Sequence, residues 1–351
     1  MKILVVSNMY PDDKHPSYGV FVKNFCEQLG ILGIEHSKAV MYKSDSKMGK
    51  IVNYITFYLN AFFSCLFGKH DLVYVHYASN SSVPVLWAQK FRKNTIYTNV
   101  HGSDVVPENA QHEKMQRYTE RILSLSRKVI VPSEFFKRLV VDKYGLIKDE
   151  VYVVCSGGVN KEVFYSEQSA ENIDEKKIRL GYVGRITPKK GWRTFLDACE
   201  YLRDIPKELI IVGNGSEDEL LEKQIDEMQL RDCTTRYNLV SQEELRKIYN
   251  QLELFVFPTE GESLGLVGIE AMACGVPVIV SDETAPADYV FEGVNGYTFK
   301  MKDSIDLAYK IKKFYDLSSE QKSMLKDNAI KTAEIYSKEH VLEQMKVVFE
   351  E

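Results

Sequence analysis

At 351 residues the chain is too long for one ordinary core and suits two domains. Hydrophobic residues make up 44% and charged residues 27%, and the six cysteines are widely spaced with no Cys-x-x-Cys pair. That composition is globular, argues against a zinc or dithiol motif, and reads the cysteines as small buried residues of a reducing cytosol. The net charge of −5 is uneven, +6 over residues 1–160 and −11 over residues 161–351. A positive first half suits an anionic partner such as a lipid phosphate or a cytoplasmic leaflet, or is an ordinary solvated surface; no nucleic-acid partner is expected.

The opening segment MKILVVSNMY holds a short apolar run, Ile3 to Val6, with no small-residue cleavage site after it. It reads as a first buried strand and not as a secretory leader. Short apolar runs then alternate with amphipathic stretches. Strands are predicted over residues 2–7, 37–41, 72–76, 95–100, 128–131 and 151–154, with helices over 20–32, 110–124 and 134–144. Ile51 to Phe67 is rich in Phe, Tyr, Leu and Ile, with Asn53, Thr56, Asn60 and Ser64 at helical spacing. It is marginal in length for a bilayer span and is expected to form a largely buried helix, the alternative being a helix on a membrane surface.

The turn Ser156-Gly157-Gly158 leads into a polar stretch, Ser166 to Lys177, after which the pattern restarts. Strands are predicted over 178–183, 208–212, 234–237, 254–257 and 276–280, and helices over 191–202, 216–228, 243–249 and 264–273. Residues 318–351 read as all helical, with Ser337 placed to cap a last helix from Lys338. Repeated β-α units call for parallel sheets covered on both faces. The expected division is 1–165 and 166–336, with helix 337–351 packing back on the first domain. Ligands in such sheets sit beyond the carboxyl ends of the strands.

The strongest motif follows the strand at 254–257: Glu260 to Glu270 reads EGESLGLVGIE, with Glu262 and Glu270 eight apart. A helix beginning near Leu264 points free amides and a positive dipole end outward, an anion site made by Ser263, Leu264, Gly265 and Leu266. Gly265 is expected to let a phosphate approach the backbone. Glu262, at the mouth, can accept hydrogen bonds from sugar hydroxyls, and Glu270, two turns in, can reach a ribose. After the strand at 178–183 comes Gly184 to Gly191, GRITPKKG. Arg185 and Lys190, five apart at a strand-to-helix turn, can converge on a diphosphate, one as a planar fork and the other as a point charge. His101-Gly102-Ser103-Asp104 follows the strand at 95–100, and the loop from Asn8 to Val20 follows the first strand.

The segment 260–270 resembles the E-x7-E motif of the family 4 retaining glycosyltransferases, and Ala271 to Val278 (AMACGVPV) is also close to that family's pattern. The resemblance implies the GT-B fold, an α/β architecture of two Rossmann-like doubly wound parallel-sheet domains facing each other across a cleft. It gives Glu262 the donor sugar, Glu270 the ribose, and Arg185 and Lys190 the pyrophosphate. It sets His101 beside the anomeric carbon. It brings the first loop against the phosphates, with close contact only at Gly19 because Tyr18 replaces the usual first glycine. Tyr237 and Asn238 fall where the family has a glycine near the base. Weaker matches run in the same order: Val131-Pro132-Ser133, Val212 to Gly215, and Asp282 to Val290, where Asp288 stands for the usual Glu.

The implied activity is retaining transfer of a hexose-type sugar from a nucleotide diphosphate donor, UDP being the commonest among relatives. The first domain binds the acceptor, a hydroxyl of a glycan or lipid-linked molecule, and the second the donor. The absence of a carboxylate nucleophile near His101 suits same-face attack. No Asp-x-Asp pair occurs and the cationic groups already supply positive charge, so no metal or other cofactor is expected. The expected setting is bacterial surface polysaccharide synthesis, cytoplasmic or peripheral on the inner face of the plasma membrane. A nucleotide-sugar epimerase of the same fold and a non-catalytic partner subunit are the other readings.

Overall fold

The computed structural model describes residues 1–155, 157–167 and 177–350. Ser156 of the expected turn, and most of the polar stretch read as a domain boundary, lie outside them. The chain forms two compact units, one of Met1–Gly157 with Val341–Glu351 and one of Gly158–His340. The division thus falls before the expected 165/166. Val159 bridges Ser337 and the Phe164 ring packs on Tyr249, so this stretch is tied to the second unit.

The first unit contains β1 (Lys2–Tyr10), α1 (Val20–Ile31), β2 (Glu35–Tyr42), α2 (Lys47–Phe67), β3 (Leu72–His76), α3 (Ser82–Ala88), β4 (Ile96–Asn99), α4 (Ala110–Leu123), β5 (Lys128–Val131), α5 (Glu134–Tyr144) and β6 (Val151–Val153). Its six strands lie in the order β2-β1-β3-β4-β5-β6, every pairing parallel. Runs such as Ile3-Leu4-Val5-Val6 are buried on both faces of the sheet, which is why they read as continuous apolar segments without alternation. Ser133, after β5, caps α5 by accepting the Phe136 N–H.

The expectation of a largely buried helix over 51–67 is corrected. Only Phe57, Ala61 and Cys65 of α2 are buried, joining Leu4, Val6, Met41 and Val73 in the core of the first unit. Ile51, Val52, Ile55, Leu59, Phe63 and Phe67 are each more than half exposed. Apolar residues surround this helix, but only one stripe of it meets the sheet. No helix among the described residues is long and apolar enough to cross a membrane.

The second unit contains β7 (Ile178–Val183), α6 (Trp192–Glu200), β8 (Lys207–Val212), α7 (Asp218–Glu227), β9 (Thr234–Tyr237), α8 (Gln242–Gln251), β10 (Leu254–Phe257), α9 (Leu266–Ala273), β11 (Val278–Ser281), β12 (Gly296–Phe299), α10 (Ser304–Tyr315) and α11 (Ser319–Glu334). Its strands run β12-β11-β10-β7-β8-β9, again all parallel. Strand β12 was not expected; it is only four residues long, with Gly296 and Thr298 breaking any apolar run. The all-helical tail divides into α11, opened by a capping box on Ser318 and Gln321, and α12 (Lys338–Glu350). The Ser337 hydroxyl accepts the His340 N–H, as its expected cap role requires.

The end of α12 belongs to the first unit. Val348 O accepts Lys128 Nζ at 2.8 Å, Gln344 Oε1 accepts the Cys155 N–H at 3.1 Å, and the Phe349 ring stacks near Tyr97.

Candidate active site

In the second sheet the chain first builds outward from β7 to β9, then returns to lay β10 on the other side of β7. The loops after β7 and β10 therefore flank a switch point, where open α/β sheets take ligands. Glu260 N–H donates to the Lys189 carbonyl at 2.9 Å, joining the two loops. Lys190 Nζ lies 2.5 Å from the Glu262 carboxylate. With side-chain exposures of 16% and 24%, the pair is largely withdrawn from water, so its attraction is weakly screened. The buried Tyr182 hydroxyl lies 3.2 Å from the Arg185 carbonyl and 3.3 Å from that of Lys190, which fixes the turn between them. Arg185 is exposed, and no described residue bonds its guanidinium.

Helix α9 starts at Leu266, two residues beyond Leu264, with Gly265 as its N-cap at φ 81°. No side chain caps this end, so its first amides stay available to an anion. The expectation that Gly265 admits a phosphate by lacking a side chain is corrected. A Cβ there would meet Phe257 Cε1 at 2.6 Å and Pro286 Cγ at 2.8 Å. The glycine is needed for its left-handed backbone and for close packing against its own chain. Leu264 is buried beneath the loop, and Ser263 is half-buried.

Glu270 sits in the second turn of α9, where burial pushes its carboxyl up to about 7. Its carboxylate has no hydrogen-bonding or ionic partner among the described residues. Tyr289 was missed from sequence. Its ring is fully buried, and its hydroxyl donates to Gly265 O at 3.0 Å. Burial, then Glu262, then Tyr336 and Glu270 raise its pKa, so the phenol lies within electrostatic reach of both motif carboxylates. Its place in DETAPADYV was legible, but nothing there marked Tyr289 as the support under the start of α9.

Tyr237 and Asn238 lie at the end of β9, the edge strand, with β8 between it and β7. The Tyr237 carbonyl accepts Gly213 N–H at 2.9 Å and Asn238 is exposed. No hydrogen bond or ion pair among the described residues links either to Lys190 or Glu262. The Gly213–Gly215 turn packs on the β7 loop, Asn214 O accepting Ile186 N–H at 3.0 Å.

The first unit has its own switch point, between β1 and β3. Ser81 Oγ accepts the Asn8 N–H at 2.9 Å and donates to Asn8 Oδ1 at 3.0 Å, tying the end of β1 to the loop after β3. Gly19 is the left-handed N-cap of α1 at φ 72°. A Cβ there would meet the Met9 carbonyl carbon at 2.6 Å. The loop after β4 is held by Asp104, fully buried, whose carboxylate accepts N–H bonds from His101 (3.0 Å), Gly102 (2.8 Å) and Ala78 (2.8 Å). Burial raises the Asp104 pKa, and these amides oppose the rise by stabilising the anion.

His101 projects from that turn. Its ring lies 4.2 Å, centroid to centroid, from Phe21, and its Nε2 is 3.0 Å from His76 Nδ1. Burial pulls its pKa down to about 3, so it is a neutral imidazole at physiological pH. His76, the last residue of β3, was not singled out from sequence; a His ending an apolar strand carried no motif.

Two parallel six-stranded Rossmann-like units, each with its polar loops at a switch point, have the GT-B architecture. The family model described as glycosyl transferases group 1 matches residues 165–332, and that described as glycosyltransferase family 4 matches residues 20–162. The chain belongs to the family 4 glycosyltransferases. Among curated relatives, the D-inositol 3-phosphate glycosyltransferase of Paenarthrobacter aurescens is 26% identical over 269 residues, covering 72% of this chain and 65% of the relative. The sucrose-phosphate synthase of Thermosynechococcus elongatus superposes with a TM-score of 0.81 at 19% identity, covering 99% of this chain and 98% of that one. HepE of Anabaena, solved in complex with UDP, superposes with a TM-score of 0.75 at 17% identity over the full length of both chains.

Proposed function

We propose that this chain is a retaining glycosyltransferase that takes a sugar from a UDP-linked donor and places it on a hydroxyl acceptor. The observation that carries the reading is the pairing of Lys190 with Glu262 at the uncapped start of α9. In this reading the donor pyrophosphate takes over the Lys190 ammonium, the first amides of α9 and the unengaged Arg185. Glu262, released, accepts from sugar hydroxyls, and Glu270 accepts from the ribose. Tyr237 and Asn238 lie toward the base, and the loop ending at Gly19 toward the phosphates. The choice of UDP is supported by the UDP held in HepE.

The second unit binds the donor and the first the acceptor. The acceptor oxygen bonds to the anomeric carbon on the face from which the diphosphate leaves, and its proton passes to a phosphate oxygen. Positive charge on Lys190 and Arg185 offsets the charge gathering on the leaving group, so the reaction needs no metal. His101, neutral, offers a polar contact near the anomeric centre. The only carboxylate in its turn, Asp104, is occupied by three amides, which suits direct same-face attack without a covalent intermediate.

The acceptor is lipid-linked, at the inner face of a bacterial plasma membrane, and serves surface polysaccharide synthesis. The exposed apolar residues of α2 and the +6 balance of residues 1–160 support that setting. The test is turnover of a panel of UDP-sugars with glycan and polyprenyl-linked acceptors in the presence of EDTA. Transfer with inverted configuration, isomerised sugar without transfer, or loss of activity on chelation would each overturn part of the reading.

A further inference from the structure

We infer that His76 is a positioning residue: it holds the His101 ring through its Nδ1 and so decides which nitrogen of His101 carries the proton. The inference rests on His101 meeting the donor, but the geometry lies wholly within the first unit. His76 ends β3 with 1% exposure. Its ring is set edge-on to Phe25 at 4.6 Å, lies 5.0 Å from Tyr74, and sits beside the His101 ring with the two planes 23° apart and centroids 5.3 Å apart. His76 Nδ1 is 3.0 Å from His101 Nε2, while His76 Nε2 is buried with no hydrogen-bond partner.

One hydrogen bond between two neutral imidazoles leaves two arrangements. If His76 accepts at Nδ1, its own proton sits on Nε2, a buried N–H donor with no acceptor among the described residues. If His76 donates from Nδ1, its Nε2 is a buried acceptor with no donor among the described residues. Orphaned buried N–H groups are the rarer of the two in proteins. His76 therefore donates to His101 Nε2, and the His101 proton resides on Nδ1. That nitrogen has no partner among the described residues and is not buried. His101 thus presents a hydrogen-bond donor outward and keeps its basic nitrogen turned into the protein. A donor in this position can bind a sugar hydroxyl oxygen, and it cannot remove a proton from the acceptor, which agrees with proton transfer to phosphate.

The tautomer of His101 is read directly by nitrogen NMR of the full chain labelled with 15N-histidine, with the signal assigned from a His101→Ala sample. The wild-type protein is expected to show His101 protonated at Nδ1. His76→Phe keeps the ring and removes the bond, so the His101 signal should move toward the Nε2-protonated form that free imidazole side chains prefer. His76→Asn puts an amide N–H near the position of Nδ1 and should restore the wild-type signal. In turnover, His76→Phe should lower kcat about 10- to 100-fold with little change in donor KM, and His76→Asn should recover most of it. An Nε2-protonated His101 in the wild type, or a tautomer unmoved in His76→Phe, would overturn the inference. Full activity in His101→Ala would instead remove the catalytic reading and leave the tautomer result standing. If His76→Phe fails to fold, His76→Gln, which shifts the amide away from the Nδ1 position, serves as the unbonded variant.

Discussion

The ammonium of Lys190 rests 2.5 Å from the carboxylate of Glu262, although 72 residues separate them in the chain. In the free protein each charge occupies the place that the donor is proposed to claim, Lys190 for phosphate and Glu262 for sugar. The two substitutions should therefore differ. Lys190→Ala should weaken UDP binding about 10-fold or more, whereas Glu262→Ala, which frees the ammonium, should leave UDP affinity equal or raise it. Both should cut transfer about 100- to 1000-fold. Titration calorimetry with UDP and turnover with the UDP-sugar measure the two effects; parallel losses of UDP affinity would contradict this exchange of partners.

Glu270 makes its own pH prediction. Its folded-state pKa of about 7 stands above the ordinary 4.5, so folding favours the protonated form. The stability this contributes is complete below 4.5 and is lost as pH rises to about 7, a change of roughly 3 kcal/mol at most. Glu270→Gln should be more stable than wild type in urea at pH 8, and the gain should shrink toward pH 5. The ionised carboxylate accepts from ribose hydroxyls more strongly than the acid does, so UDP-sugar affinity should rise through pH 7 in wild type and stay flat in Glu270→Gln. A flat wild-type profile would place the ribose elsewhere.

Asp104 is a structural requirement of the His101 turn. Three amides converge on its buried carboxylate. Asp104→Ala strands them, at a cost of about 3 kcal/mol or more in urea unfolding. Asp104→Asn replaces one acceptor oxygen with a donor and should recover only part of that. A loss under 1 kcal/mol in the alanine variant would show that the turn is held by other contacts.

The exposed residues of α2 predict surface binding. Vesicles containing phosphatidylglycerol should float the protein at low salt, with less binding as salt is raised. Ile55→Glu with Phe63→Glu should abolish flotation while changing stability by less than about 0.5 kcal/mol, since both side chains lie mainly in water already. Binding unchanged in the double variant would remove α2 as the docking face.

The parallel sheets were legible because strands buried on both faces leave uninterrupted apolar runs; β3, β5, β7, β9 and β10 match their expected bounds. The cationic and acidic loops were legible because Lys190 and Glu262 follow such strands directly. What stayed hidden depends on contacts between distant segments. Nothing in the sequence around Tyr289 shows that its hydroxyl supports Gly265, or that His76 and His101 share a hydrogen bond. The exposure of α2 was misread for a similar reason. Periodicity identifies a helix, but the width of its buried stripe depends on how much sheet it meets.

The return of the last helix has a consequence for synthesis. Residues 158–340 are contiguous, so the second unit can complete its core from one uninterrupted stretch of chain. The first unit must wait, because Val348 and Phe349, which meet Lys128 and Tyr97, follow the whole of the second unit in the chain. The discontinuous unit is thus the later of the two to mature, and chaperone dependence should concentrate there.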